Sequence, residues 1–318
     1  PKINCIMSFL SPVRDMAIPF LLFNCLVQVH GKSATPVGGV DFAAWDRVMS
    51  KNVRRGAQLG IPINIVDYIS IATDPDFEAF TKSLAAADPS QLSQNESFAV
   101  GINMYNAYAI KTLINYSCKY EDNLNQMGKC FGPVYGLPDV QFKIGSAAVA
   151  GSDLKYHVFA GKNYSLNDIE GMMRPIPSQP LFNEKNIRED LRVHATLVCD
   201  GTSCPDLATK AYQPETIDQQ MDAAVTGWMA NPWKGLRIDR TNNTVYFSRI
   251  MSWFELEFAA QGGVVKAYAK FFPEKATQFF ASTTSYTQAY FEYIWDTNGP
   301  VPCSCLPDVD DATIQLPD

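Results

Sequence analysis

Charge is scarce in this sequence, and basic charge scarcer still. Only 19% of the 318 residues are charged, and 26 Lys and Arg against 33 Asp and Glu leave a formal net charge of −7 at pH 7. Binding a phosphate backbone depends on clustered Lys and Arg, so nucleic acid is excluded as a partner. Histidine is rarer: His30, His157 and His194 are the only 3 in the chain. A zinc site would have to take three ligands from His194, Cys199 and Cys204, at a spacing that matches no known structural finger, so no metal and no cofactor is expected. No apolar run reaches the roughly 18–20 residues needed to cross a bilayer, so no membrane span is expected. Internal repeats and low-complexity blocks are missing too, which leaves a compact domain.

What is present in quantity is apolar, 47% of the chain, enough for a substantial core. A short apolar run, Ala17 to Val29, follows Arg14 and closes at Val29-His30-Gly31, the three-part pattern of a secretory signal. The expected partition is a signal peptide and upstream residues at 1–31, a linker at 32–41, a domain at 42–299 and an acidic, Pro-rich tail at 300–318. Export, to the medium or the secretory lumen, removes Cys5 and Cys25 and leaves Cys118, Cys130, Cys199, Cys204, Cys303 and Cys305 as disulfide candidates. Sequons at Asn95, Asn115, Asn163 and Asn242 agree with that compartment.

Helical spacing from Phe42 to Val53, a polar helix from Asp76 to Ala87 and a long helix from Gln94 to Asn115 dominate the first third. Ser93 with Glu96 forms the capping box that opens the long helix. Its stripe of Phe98, Ile102, Tyr105, Ala109 and Leu113 adjoins Asn103 and Asn106, whose amides need partners if buried. Ile61 to Ile71 reads as β-like, Cys118 to Cys130 as a disulfide hairpin, Phe131 to Ile144 as irregular and Tyr156 to Ala160 as a strand. His157 on that strand is expected to be half-buried. Ser165 opens a helix that Pro175 ends. Further on come a helix from Thr216 to Trp228, a hairpin from Leu236 to Phe247, helices at Ile250–Ala259 and Val264–Phe272, and a strand at Tyr290–Trp295. The expected fold class is α+β: a single mainly helical domain with a small, largely antiparallel sheet.

The most reactive-looking stretch is Asp190 to Pro205, DLRVHATLVCDGTSCP. Alternation of Leu191, Val193, Ala195 and Leu197 reads as a strand carrying His194 on its other face, ended by an Asp200-Gly201 turn in which Gly takes the positive φ. Two readings stay open. In one, Cys204 or Ser203 is a nucleophile with His194 as base and Asn103 or Asn106 as orienter or oxyanion donor. In the other, Cys199 and Cys204 close a disulfide across the loop and the domain is a binding or structural module. Glu170 and Arg174, one helical turn apart, read as a local ion pair or an anion-binding pair, the ion pair being preferred.

Several stretches together resemble one family, the DUF547 domain, named for having no assigned function. They are Phe98 to Ala107 (FAVGINMYNA), Leu166 to Arg174 (LNDIEGMMR), Leu191 to Pro205, Tyr212 to Asp222 (YQPETIDQQMD), Val245 to Phe258 (VYFSRIMSWFELEF) and Tyr293 to Gly299 (YIWDTNG). The sequence departs at Val100-Gly101, where the family usually shows Trp and Ile. The resemblance implies signature roles for Asn103, Tyr105, Asn106, Glu170, Arg174, His194, Cys199, Ser203 and Cys204, and it implies no reaction. Catalysis by His194, Cys204, Ser203 and Asn103 is therefore an expectation from chemistry alone, with Tyr105, Asn106, Glu170 and Arg174 as ligand contacts. The expected partner is a small molecule or a peptide or glycan ligand.

Overall fold

The structure is a computed structural model that describes residues 38–116, 141–144, 147–150, 155, 157–174 and 189–301. The expected leader, the Cys118 to Cys130 hairpin, most of the 131–144 stretch and the tail with Cys303 and Cys305 lie outside the described residues.

The chain enters through α1 (Phe42–Asn52), capped where the Asp41 carboxylate accepts from the Ala44 amide. Its Trp45 stacks on Phe80 of α3 at 5.0 Å between ring centroids. Burial of each such ring contributes about 1.5–3 kcal/mol. Between α1 and α3 (Pro75–Ala85) lie a hairpin of β1 (Val53–Gln58) and β2 (Ile61–Val66) and one short helical turn, α2 (Tyr68–Ile71). The expected β-like run thus splits at Asp67, whose carboxylate accepts from the Ser70 amide and starts the turn.

Helix α4 (Gln94–Tyr116) is the centre of the molecule. The Ser93–Glu96 capping box forms, with the Ser93 amide donating to Glu96 at 2.8 Å and the Glu96 amide to Ser93 Oγ at 3.4 Å. Sequence spacing suggests a stripe facing one way, yet every residue from Ser97 to Ile110 is buried. A helix apolar on all sides is a core helix, and its polar residues must then find partners inside. Gly101 has a packing reason: a Cβ there would collide with Met173, so the glycine lets α5 (Leu166–Met173) lie close against α4. A second capping box, Ser165 with Asp168, opens α5.

Strands β3 (Gln141–Ile144) and β4 (Ala147–Ala150) form an antiparallel pair, so the end of the stretch expected to be irregular is a strand. A second pair, β5 (His157–Phe159) and β6 (Lys162–Tyr164), turns at Ala160-Gly161. His157 is fully buried rather than half-buried, stacked on Tyr108 at 4.4 Å and 3.1 Å from the Thr112 hydroxyl.

After α6 (Ile217–Met229), strands β7 (Leu236–Asp239) and β8 (Thr244–Phe247) form the expected hairpin, and β9 (Thr287–Tyr290) joins β8 in parallel. The last strand therefore ends where the sequence places its beginning. The expected helix at 250–259 breaks at Phe254 into α7 (Arg249–Trp253) and α8 (Glu255–Ala260). Helices α9 (Val264–Tyr268) and α10 (Glu274–Ser282) follow, α10 being absent from the sequence reading. Helices with small, mostly antiparallel sheets make the domain α+β, and its buried apolar residues gather into two clusters, one around α1, α3 and α4 and one around α6, β8 and α9.

Candidate functional site: a cleft at the seam of two clusters

The stretch expected as a strand is a 3-10 turn, Leu191–Ala195. Asp190 caps it by accepting from the Arg192 amide, and Arg192 turns outward to Asp190, Asp218 and Asp222 while its neighbours are buried. That outward Arg between buried Leu191 and Val193 produces the alternation without any strand. Val193 belongs to the first apolar cluster, Leu191 and Ala195 to the second, so His194 stands at the seam.

The loop that follows is tied down at almost every residue. Asn106 of α4 accepts from the Val198 amide and donates to the Thr196 carbonyl, both at 2.9 Å, and Asn103 makes the same two-way clamp on Tyr212. Asp200, not Gly201, takes the positive φ of +63°. Thr202 and Ser203 pair their backbones with Asp296 and Ile294, and the Ser203 hydroxyl accepts from the Ile294 amide at 2.8 Å. Lys234, buried, donates to the Cys204 carbonyl at 2.6 Å and to Asp206 at 2.7 Å. The sulfurs of Cys199 and Cys204 are at disulfide distance, with Cα atoms 6.3 Å apart, and the Tyr293 hydroxyl touches both.

Around this loop opens a cleft of about 200 Å³ lined by Tyr105, Asn167, Glu170, His194, Leu197, Cys199, Ile250, Trp253, Phe254, Tyr293 and Trp295. The imidazole, the sulfur-bearing loop and α4 do meet in it, but α4 contributes Tyr105 to the wall while its two amides stand behind it. Cys204, Ser203, Asn103 and Asn106 support the wall and do not line it. Of the sequons, Asn242 is exposed in the β7–β8 turn, Asn95 and Asn163 are half-buried, and the Asn115 amide nitrogen is buried.

His194 lies flat on Phe254, ring centroids 4.3 Å apart, and its Nε2 is 2.8 Å from Oε2 of Glu257. Oε1 of the same carboxylate accepts from Arg174 Nε at 2.7 Å. Arg174 thus pairs with Glu257 and not with Glu170, a correction of the local ion pair: the side chain reaches past Phe254, over whose ring its guanidinium sits at 4.5 Å. Burial works to raise the Glu257 carboxyl, but the hydrogen bonds and charges of His194 and Arg174 outweigh it and hold it below its usual value. Burial pushes His194 down, with Glu257 opposing and Arg174 reinforcing, so the ring is neutral at neutral pH. A carboxylate facing Nε2 requires the N–H there and leaves the lone pair on Nδ1. Nδ1 has no hydrogen bond among the described residues.

Glu170, also in the cleft lining, makes one long contact, to the Tyr105 hydroxyl at 3.5 Å, and no ion pair among the described residues. Burial raises its carboxyl, the Arg174 charge counters this and the Glu257 charge adds to it. Sequence reasoning missed Glu257, Trp253, Tyr293 and Trp295. They sit inside the VYFSRIMSWFELEF and YIWDTNG stretches, and Glu257 lies on a short helix, buried together with Phe258 while Glu255 and Leu256 before it are exposed.

Residues 89–229 match one family model, described as protein of unknown function, DUF547. This stretch is a DUF547 domain. It holds α4, α5, the 3-10 turn, the loop and α6, whereas Glu257 and the aromatic wall at Trp253, Tyr293 and Trp295 come from beyond it. Comparison with curated proteins and with solved structures gave no match. Among the described residues no group of His, Cys, Asp and Glu is arranged to hold a metal ion, and no helix is long and apolar enough to cross a membrane.

Proposed function

We propose that the cleft is a general-base site of a hydrolase or transferase, with His194 activating water or a hydroxyl, in a protein exported to an oxidising compartment. The observation that carries this reading is the ordered line Arg174, Glu257, His194, which fixes one tautomer and leaves Nδ1 without a hydrogen bond among the described residues, on a side chain that lines the cleft. In the step, Nδ1 takes a proton as the water oxygen attacks an acyl carbon, and the resulting imidazolium returns that proton to the departing group. Water suits the geometry better than Cys204 or Ser203, because the sulfur pairs with Cys199 and the hydroxyl accepts from Ile294. Tyr105 and Glu170 bind the substrate. Export is supported by the apolar run at Ala17 to Val29 and by the Cys199–Cys204 pair.

The test is hydrolysis of a panel of small esters and amides by the full chain. His194→Asn abolishes turnover, and Glu257→Gln, which no longer dictates the tautomer, lowers it by about 10²–10⁴-fold. Because burial lowers the imidazole below its ordinary 6.5, the rate rises with pH through a value under 6.5 and is flat through neutrality. Retention of full rate by His194→Asn refutes the reading. A second reading, a non-catalytic binding module, is favoured by one fact: both asparagines, Ser203 and both sulfurs are occupied in holding the loop. It is the outcome if no member of the panel turns over.

A further inference from the structure

The cleft has an unusual balance of groups. Trp253, Tyr293 and Trp295 form one wall, with Tyr293 at 4.7 Å from Trp253 and 4.3 Å from Trp295 and inclined to them by 47° and 56°. Trp253 and Trp295 stack nearly parallel, 5.7 Å apart with 15° between their planes, and the inclined Tyr293 makes a corner with the pair. Trp253 is 48% exposed, and Leu256, 81% exposed, extends the apolar rim on the next helix. Tyr105 and Glu170, 3.5 Å apart, line the same cleft.

Charge decides what such a corner can hold. Arg174 is neutralised by Glu257, and His194 is neutral, so the positive charge near the cleft is already compensated. Among the described residues Glu170 has no cation within ion-pair distance, only the more remote Arg174 charge, and a single long hydrogen bond from Tyr105. A half-buried carboxylate without a counter-ion next to several aromatic faces is a site short of one positive charge. An anion would meet the Glu170 charge, which Arg174, already paired with Glu257, offsets only in part. A sugar would need a fan of free hydroxyl-binding groups, yet the Tyr293 hydroxyl is turned to the sulfurs, His194 Nε2 to Glu257 and the Tyr105 hydroxyl to Glu170. About 200 Å³ also suits a small head group better than a ring of several residues.

We infer that the cleft binds the quaternary or tertiary ammonium head of an organic cation, held in the corner of Trp253, Tyr293 and Trp295 and balanced by Glu170. The inference rests on the reading of this cleft as the reactive site, and it names the substrate class: esters or amides that carry such a head group. Aromatic faces attract a cation through their quadrupole, and a desolvated carboxylate adds to that attraction without the hydration cost of a primary ammonium.

The experiment titrates the full chain with choline and with 3,3-dimethylbutan-1-ol, its neutral counterpart of the same shape, by calorimetry and tryptophan fluorescence. Choline binds at least about ten-fold more tightly than the alcohol. Glu170→Gln removes most of that difference while alcohol binding holds, and Trp253→Leu weakens choline about five- to ten-fold with the melting temperature unchanged, since Trp253 is half exposed. Equal binding of the two probes, binding of neither, or binding of glucose in place of choline overturns the inference. The unaltered protein separates the two proposals: choline binding without turnover of any choline ester or amide sinks the general-base reading and keeps this one.

Discussion

Asp200 is the group whose replacement is most informative about the energetics of the loop. It is 2% exposed, and neither carboxyl oxygen has a hydrogen-bond partner among the described residues; the nearby Tyr68 hydroxyl is turned to Asn298 and offsets little of the burial. Burial therefore pushes the carboxyl from 3.8 up to about 8. A carboxyl that holds its proton in the folded state and loses it in the unfolded chain makes stability fall as pH rises. The loss begins near 3.8, the unfolded value, and is complete near 8, the folded one. About four pH units at about 1.4 kcal/mol each set a ceiling of about 6 kcal/mol, and relaxation around the charge brings it to several. Asp200→Asn removes the titration. Asn also tolerates the left-handed backbone that this position requires, φ +63°, so the substitution adds no strain. Urea unfolding of both proteins from pH 4 to pH 8 reads the effect, because any constant offset from the new amide cancels in the slope. The variant gains at least about 2 kcal/mol on wild type across that range. Parallel stability curves for the two proteins would refute the argument that this carboxyl is kept neutral by burial.

Two further predictions concern the same loop. Asn106→Ala leaves the Thr196 carbonyl and the Val198 amide unpaired in the core and costs about 2–5 kcal/mol, checked by denaturant unfolding; a loss under 1 kcal/mol means that water or another group takes over the clamp. The Cys199–Cys204 pair closes a loop with a sequence separation of 5, worth about 2 kcal/mol in chain entropy. Alkylation of the denatured, unreduced protein should miss both thiols, and the Cys199→Ser, Cys204→Ser double variant should unfold about 2 kcal/mol more easily; labelling of either cysteine contradicts the pairing.

Features governed by near neighbours were legible in the sequence. The caps at Ser93 and Ser165 work within three residues of themselves, and the β7–β8 hairpin pairs strands joined by a short turn. Helix α4 was legible as a helix but not as a core helix, because what surrounds it is chosen by elements far along the chain. The 3-10 turn at His194 misled for a definite reason: Arg192 is drawn out by Asp190, Asp218 and Asp222, two of them on α6, and an outward residue between buried ones imitates a strand. The partners of His194 were out of reach as well, since Glu257 lies 63 residues on.

The order of amino acids by itself determined that this is an α+β domain with a DUF547 stretch, a long central helix and a loop bearing a histidine and two cysteines. It did so through capping, turn chemistry and apolar spacing, all of which act over a few residues. Tertiary structure alone decided that Arg174 answers Glu257, that the asparagines of α4 grip backbone, and that an aromatic wall from the last part of the fold faces the imidazole. Buried charges and amides must be satisfied by whatever the packing brings within about 3 Å, and no local pattern records which residue that will be.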